Sequence, residues 1–161
     1  MPDTAEMIEA TKDHLISTWH NVLILVWKQE TTTNGVNKLK ATYASLSERF
    51  PKNVFLLTIV EQDAPMPAST VRVALADFLA SCGGKMVLSG VVHEGSGFRA
   101  AAVRSVVTGL AMMANLPYPH KVFANVDDAA RWLHMSSPVG KDWNDLALIA
   151  AVREARSRGM K

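Results

Sequence analysis

Two apolar runs constrain the fold of this chain more than any other feature of its sequence. They are Val22–Trp27 (VLILVW) and Asn53–Val60 (NVFLLTIV). Both are rich in β-branched, aromatic and aliphatic residues. Neither shows the polar alternation of a strand with one solvent face, so helices are expected to cover both faces. The runs therefore predict an α/β protein with Asn53–Val60 at the centre of its sheet.

The segments around these runs supply further strands and helices. His14–Trp19 alternates like a strand and is separated from Val22–Trp27 by two residues, which predicts an antiparallel hairpin. The predicted helices are about Val36–Phe50, Ser69–Gly83, Phe98–Ala114, Asn125–Leu133 and Asp142–Arg158, and the other predicted strands are Lys85–His93 and Lys121–Ala124. This order predicts a single, mainly parallel sheet of about five strands, with the hairpin at its N-terminal end and helices covering it.

The length of 161 residues suits one hydrophobic core. We divide the chain into a domain of residues 1–135, which includes a short N-terminal extension, and residues 136–161, which carry an additional amphipathic helix. The residues predicted on the apolar side of that helix are Trp143, Leu146, Ala147, Ile149 and Ala150. Its basic C-terminal end is a predicted contact surface.

Charge and targeting features narrow the class of partner. Seventeen Lys and Arg residues against fifteen Asp and Glu residues leave a net charge of +2, too small to indicate nucleic acid or an anionic membrane. The acidic N-terminus lacks the basic start and apolar stretch of a secretory signal, and no apolar run approaches the roughly 20 residues of a membrane span. We expect a cytoplasmic protein with no nucleic-acid partner and no membrane span.

Signatures of catalysis and metal binding are missing from the sequence. It has no phosphate-binding loop, dinucleotide-binding fingerprint, nucleophile elbow or zinc-binding helix motif. The five histidines are scattered singly, and the one cysteine, Cys82, ends a predicted helix, where the dipole disfavours a thiolate. We predict a protein that is not an enzyme and has no catalytic residue, metal or cofactor.

The best candidate for a ligand site is the turn Gly95, Ser96 and Gly97, which follows an apolar strand and precedes a helix. Glycines let backbone N–H groups approach an anion at a helix N-terminus, and Arg99 stands nearby. The alternative, which we favour, is an ordinary strand-to-helix turn with Ser96 or Gly97 as the helix N-cap.

Ala101, Ser105 and Gly109 form a strip of small residues at four-residue spacing on the helix after this turn. Such a strip lets another element approach closely, so it is a candidate dimer interface. Trp143 and Leu146 of the last helix are further candidates for the interface. The alternative for the strip, which we favour, is that it rests on the chain's own sheet.

The segment EGSGFRAAAVRSVVTGL, followed by PHKVFANVDDAARWL, resembles small bacterial proteins with the STAS-like fold, that of anti-sigma factor antagonists. The resemblance covers about His14 to Leu133. It implies a regulatory or scaffolding domain in signalling that contacts another protein, or a second copy as a homodimer. Two alternatives stay open. One is a binder of a nucleotide, phosphorylated metabolite or lipid at the strand-end loops, and the other is a structural homo-oligomer.

The resemblance also implies a phosphorylation site. In anti-sigma factor antagonists a serine is phosphorylated at the start of the helix after the central strand, a position that corresponds here to Ser69 or Thr70. The D-S-x-G-like motif of that family is absent, because Asp63 lies six residues before Ser69 and no glycine follows the hydroxyls. The alternative, which we favour, is that Ser69 or Thr70 is an ordinary N-cap.

Overall fold

The structure, a computed structural model, describes residues 4–137 and 141–160. Its strands are β1 (Glu6–Ala10), β2 (His14–Trp19), β3 (Val22–Trp27), β4 (Val54–Val60), β5 (Met86–His93) and β6 (His120–Phe123). Its helices are α1 (Thr33–Arg49), α2 (Ser69–Ser81), α3 (Phe98–Ala114), α4 (Val126–Met135) and α5 (Asp145–Gly159). The predicted division of the chain includes residues 1–3, 138–140 and 161, which lie outside the described residues.

The strands form one sheet in chain order, from β1 at one edge to β6 at the other. β1, β2 and β3 pair antiparallel, and β3 to β6 pair parallel. The predicted α/β class, the N-terminal hairpin and the parallel remainder are confirmed. The described part of the sheet has six strands rather than about five, because Glu6–Ala10 adds an edge strand beside β2.

Helices cover both faces of the sheet. Right-handed crossovers between consecutive parallel strands place α1, α2 and α3 on one face, and α4 and α5 pack on the other. Along β3, Leu23 and Leu25 belong to the core under α1 and α2, whereas Ile24 and Val26 belong to the core under α4 and α5. The absence of polar alternation in Val22–Trp27 thus reflects burial on both faces.

The last helix packs only in part with the predicted face. Ala147 and Ile149 are half-buried against the core, as predicted. The buried residues, which face β2 and α4, are Leu148, Ala151, Val152 and Ala155. Leu146 is 72% exposed and Ala150 is also exposed. The prediction for these two residues was wrong because it began the helix at Asp142. The helix begins after Asn144, whose side chain accepts a hydrogen bond from the Ala147 N–H, so Trp143 precedes it.

Trp143 fixes the start of this helix to the sheet. Its indole N–H donates to the Asn21 side chain at 2.7 Å, and the Asn21 amide donates to the Asn53 carbonyl at 2.8 Å. The indole also packs edge-on against the Phe55 ring, with ring centres 5.3 Å apart. Residues of α5 therefore belong to the same hydrophobic core as β2, β3 and β4.

The N-terminus of α2 differs from the predicted one. The N-cap is Ala68, in an extended conformation after Pro67, and no side chain caps the helix. Ser69 and Thr70 already lie in the first turn, so the interpretation of either as the N-cap was wrong. In α4, by contrast, a side chain caps the helix: the Asn125 side chain accepts a hydrogen bond from the Asp128 N–H at 2.8 Å.

Candidate functional site

The glycine turn between β5 and α3 has a backbone that favours glycine at two positions. Gly95 has a φ of 123° and Gly97 a φ of 90°, a region that other residues rarely adopt. Gly97 is the N-cap of α3 and offers no side-chain hydrogen bond, which confirms the interpretation as a strand-to-helix turn. Ser96 and Arg99 are exposed beside it, and anion binding at this turn stays a prediction.

The Arg104 side chain is hydrogen-bonded to the backbone of this turn. Its guanidinium donates to the carbonyl of His93 at 3.1 Å and to that of Gly95 at 3.3 Å. The side chain of Arg104 therefore turns back toward the carbonyl groups that precede α3. The cation therefore stabilises the path of the chain from β5 into α3.

An ion cluster joins the end of α5 to the ends of β4 and β5. Arg156 bonds to Glu61 at 2.8 Å and to Glu94 at 2.7 Å, and each carboxylate directly follows its strand. The hydrogen bond with Glu94 is the largest cause that raises the pKa of Arg156. Part of the basic end predicted as a contact surface is thus bound to the chain's own sheet.

The strip of small residues on α3 does not rest on the sheet. Ala101, Ser105 and Gly109 are exposed, and a Cβ added at Gly109 would meet no atom within 4 Å. The favoured interpretation was wrong because α3 turns its other side, which includes Val107, toward the sheet. The strip lies on the outer surface of the molecule.

Large apolar side chains flank this strip. Phe98 is 92% exposed, Val106 is 53% exposed and Met112 is 77% exposed. We call these three residues, with Ala101, Ser105 and Gly109, the α3 face. None of the described side chains of α3 is buried. Large exposed apolar side chains grouped on one helix are typical of a contact site with another molecule.

The other predicted site residues lie apart from the α3 face. Ser69 and Thr70 are exposed at the start of α2. Leu146 is exposed on α5, which covers the opposite face of the sheet. Trp143 is only 6% exposed, so its place in the predicted interface was wrong: the indole is used in the chain's own core.

A cavity that the sequence reasoning missed lies on the same side of the sheet as α3. It has a volume of about 200 Å³ and lies between α2 and the strands β3, β4 and β5. Its lining is mostly apolar, but the polar residues Thr58, Ser89, His93 and His120 contribute to its sheet side. The sequence does contain one sign of this cavity: polar residues stand at alternate positions within otherwise apolar strands.

Hydrogen bonding differs between the two histidines of this cavity. The His120 Nδ1 atom lies 2.8 Å from the Ser89 hydroxyl. In the described part of the chain, no protein group bonds to the ring of His93, although this residue is only 9% exposed. Burial is the cause that lowers the pKa of His120 to about 4, and burial, followed by the charge of Arg104, lowers the pKa of His93. Both rings are neutral at pH 7.

Cys82 is buried at the C-terminus of α2. Its thiol donates to the Phe78 carbonyl at 3.2 Å. Burial is the largest cause that raises its pKa, which keeps the thiol protonated and unreactive.

These features define an α/β protein with one mixed sheet, an exposed apolar helix and a cavity between sheet and helices. Among residues 4–137 and 141–160, no helix is long and apolar enough to span a bilayer, and no three His, Cys, Asp or Glu side chains are grouped to hold a metal ion. No family model matches the chain, and comparisons with curated proteins and with solved structures give no match.

Proposed function

We propose that this chain is a STAS-like regulatory or scaffolding domain, not an enzyme, that acts by binding another protein through the α3 face. The observation that carries the proposal is the exposure of Phe98, Val106 and Met112 on a helix with no buried side chain in its described part. Helices on the surface of a globular protein ordinarily bury one apolar face. α3 instead presents apolar residues to the outside.

The charge of α3 favours a protein as partner. Arg99 and Arg104 are its two charged residues, and Arg104 is engaged by carbonyls of the chain itself. Nucleic acids and anionic membranes attract rows of Lys and Arg, whereas the centres of protein interfaces are depleted of charge. The small residues Ala101, Ser105 and Gly109 allow a partner helix to approach closely, and a second copy of this chain is one such partner.

Capture with matched variants tests this proposal. Val106→Glu places a charge in the α3 face, and Met135→Glu places the same charge on α4, across the sheet, where Met135 is 74% exposed. Tagged wild-type protein and both variants are used as bait in extracts of the source cell, with the mass of each purified protein measured in parallel. We expect wild type and Met135→Glu to retain a partner or a second copy that Val106→Glu loses. Equal retention by all three contradicts the proposal.

Phosphorylation of Ser69 or Thr70 is part of the same proposal as a means of control. Both hydroxyls are exposed in the first turn of α2, where the positive end of the helix dipole favours an added phosphate. Mass spectrometry of the protein from its source cell tests this point: phosphate on a peptide that contains Ser69 and Thr70 is expected. A fully unmodified peptide under all growth conditions contradicts it.

A further inference from the structure

The cavity beside α2 has the size of a site for a small molecule. Its volume is about 200 Å³, whereas an engineered apolar cavity of about 150 Å³ binds benzene. A pocket of this volume between a sheet and a helix, open to the surface, therefore has room for one aromatic ring and a short substituent.

Apolar side chains form most of the wall. Those from the strands are Leu25, Trp27, Leu56, Val60 and Val91, and those from the helices are Leu39, Leu75, Ala76, Phe78, Leu79, Val107 and Ala111. The exposed residues Pro65, Met66 and Arg72 also line the cavity. They lie in the loop after β4 and at the start of α2, so the cavity opens to the surface at this end.

His93 lies at the same end of the sheet as this opening. It is paired with Val60 at the last position of β4, immediately before the loop that forms the mouth. His93 is nine-tenths buried and lines the cavity, and no hydrogen bond joins its ring to a protein group among the described residues. Its ring nitrogens are not among the side-chain atoms that are both closed off from solvent and unpartnered, so they face accessible space. Its imidazole nitrogens, one donor and one acceptor, are therefore available to a bound molecule.

At the far end of the cavity, one ring nitrogen of His120 is already engaged by a protein group. Ser89 lies four positions before His93 on β5, about 13 Å along the strand, and its hydroxyl pairs with His120. A serine beside a histidine is also the arrangement of a nucleophile and its base. However, the Ser89 N–H donates to the Pro119 carbonyl within the sheet, so that amide is not available to stabilise an oxyanion. The pair belongs to the wall of a binding site.

The inner part of the cavity favours a ligand without charge. Arg72 is the one residue of its described lining that carries a full charge at pH 7, and it is exposed at the mouth, where it donates to the Pro67 carbonyl. Moving an ion from water into such surroundings is costly unless a paired charge receives it. A neutral hydroxyl or carbonyl group, in contrast, is satisfied by a neutral imidazole.

We propose that this cavity binds a small, uncharged, mainly apolar molecule whose single hydroxyl or carbonyl group bonds to His93. The apolar body lies between α2 and the sheet, and the polar group lies near the mouth. This site is distinct from the α3 face and from the glycine turn at Gly95. A failure of the proposed function would therefore leave this proposal unaffected, and the reverse is also true.

Three related compounds test the chemistry of the site: 4-ethylphenol, ethylbenzene and 4-ethylbenzoate. Dissociation constants are measured at pH 7 on the full chain by titration calorimetry, and NMR shifts of the Val91 methyl groups report where each compound lies. We expect 4-ethylphenol to bind about tenfold more tightly than ethylbenzene, as one buried hydrogen bond provides, and 4-ethylbenzoate to bind least. No binding of 4-ethylphenol, or tighter binding of 4-ethylbenzoate, overturns the proposal.

Variants locate the site and the polar contact. Val91→Phe fills the floor of the cavity and is expected to abolish binding of both neutral compounds. His93→Leu is expected to remove the preference for 4-ethylphenol while ethylbenzene still binds. His120→Leu, the matched change at the far end, is expected to keep the preference. Unchanged binding by Val91→Phe overturns the assignment of the site. The assignment of the polar contact is overturned if the preference for 4-ethylphenol disappears with His120→Leu and survives His93→Leu. The comparison of the two histidine variants can be made even if Val91→Phe does not fold.

Discussion

His120 is held in its neutral form inside the fold. Burial lowers its pKa to about 4, below the ordinary value of 6.5, so the folded state binds the proton more weakly than the unfolded chain. The stability that this residue contributes is therefore complete above about pH 6.5 and is lost as the pH falls toward 4.

The titration of His120 gives a prediction that urea unfolding checks. His120→Gln keeps a hydrogen-bonding group beside Ser89 but does not titrate. Between pH 7 and pH 4.5, the wild type is expected to lose about 2 kcal/mol more free energy of unfolding than the variant. Parallel losses in the two proteins would show that His120 titrates normally in the fold.

Two helical glycines differ in how closely other atoms pack around them. A Cβ at Gly35 would lie 2.8 Å from the Trp27 ring, whereas a Cβ at Gly109 would meet nothing within 4 Å. We expect Gly35→Ala to lower the free energy of unfolding by about 1–3 kcal/mol through overpacking, and Gly109→Ala to raise it by up to about 1 kcal/mol. Chemical denaturation of both variants measures the difference. Similar effects of the two changes would contradict the close packing of α1 on Trp27.

At the scale of elements, Arg156 connects α5 to the parallel strands. Its guanidinium lies between Glu61 and Glu94, and all three side chains are about a quarter to a third exposed. Removal of the cation leaves two carboxylates close together and without a partner, which is costlier than the loss of an exposed ion pair. The cluster thus keeps the last helix on the sheet.

Replacement of Arg156 tests this role. Arg156→Leu is expected to lower the free energy of unfolding by about 2 kcal/mol, and added Glu94→Gln to restore part of the loss. Arg153→Leu, an exposed arginine on the same helix, is the control and is expected to change stability by less than about 0.5 kcal/mol. An effect of Arg156→Leu no larger than that of the control would show that the cluster contributes nothing.

Most elements were predictable from the sequence, for physical reasons that differ between them. Val22–Trp27 and the other central strands are apolar on both faces, so burial alone identifies them. β1 was missed because its sequence, EMIEA, is acidic and only partly buried, as an edge strand is. The orientation of α3 was missed because a helix with apolar and small residues all around gives no periodic sign of which side contacts the sheet.

At the scale of the whole molecule, the sequence predicted the sheet but not the cavity. Ser89 and His120 lie 31 positions apart in the chain and become neighbours only when β5 pairs with β6. His93 became a candidate through its burial and the lack of a protein partner in the described residues, and neither is visible in a local pattern. Gly95 to Arg99, in contrast, formed a recognisable motif, and the structure shows it as a turn.

The molecule presents two separate surfaces on one side of its sheet. The α3 face is exposed and apolar, while the cavity opens at the start of α2, beside Met66. The opposite side is covered by α4 and α5, whose buried residues share a core with the sheet. Contacts with another protein are therefore expected on the α3 side. Of the two positions that test them, Val106 lies on that side and Met135, the control, lies on the other.

Photo-crosslinking in the source cell tests the central claim, that the α3 face binds another protein, most directly. A photoreactive amino acid replaces Val106 in one protein and Met135 in another, and crosslinked products are identified by mass spectrometry. We expect a specific adduct from position 106, with a partner or with a second copy of this chain, and none from position 135. No adduct from position 106, or the same adducts from both positions, would contradict the claim.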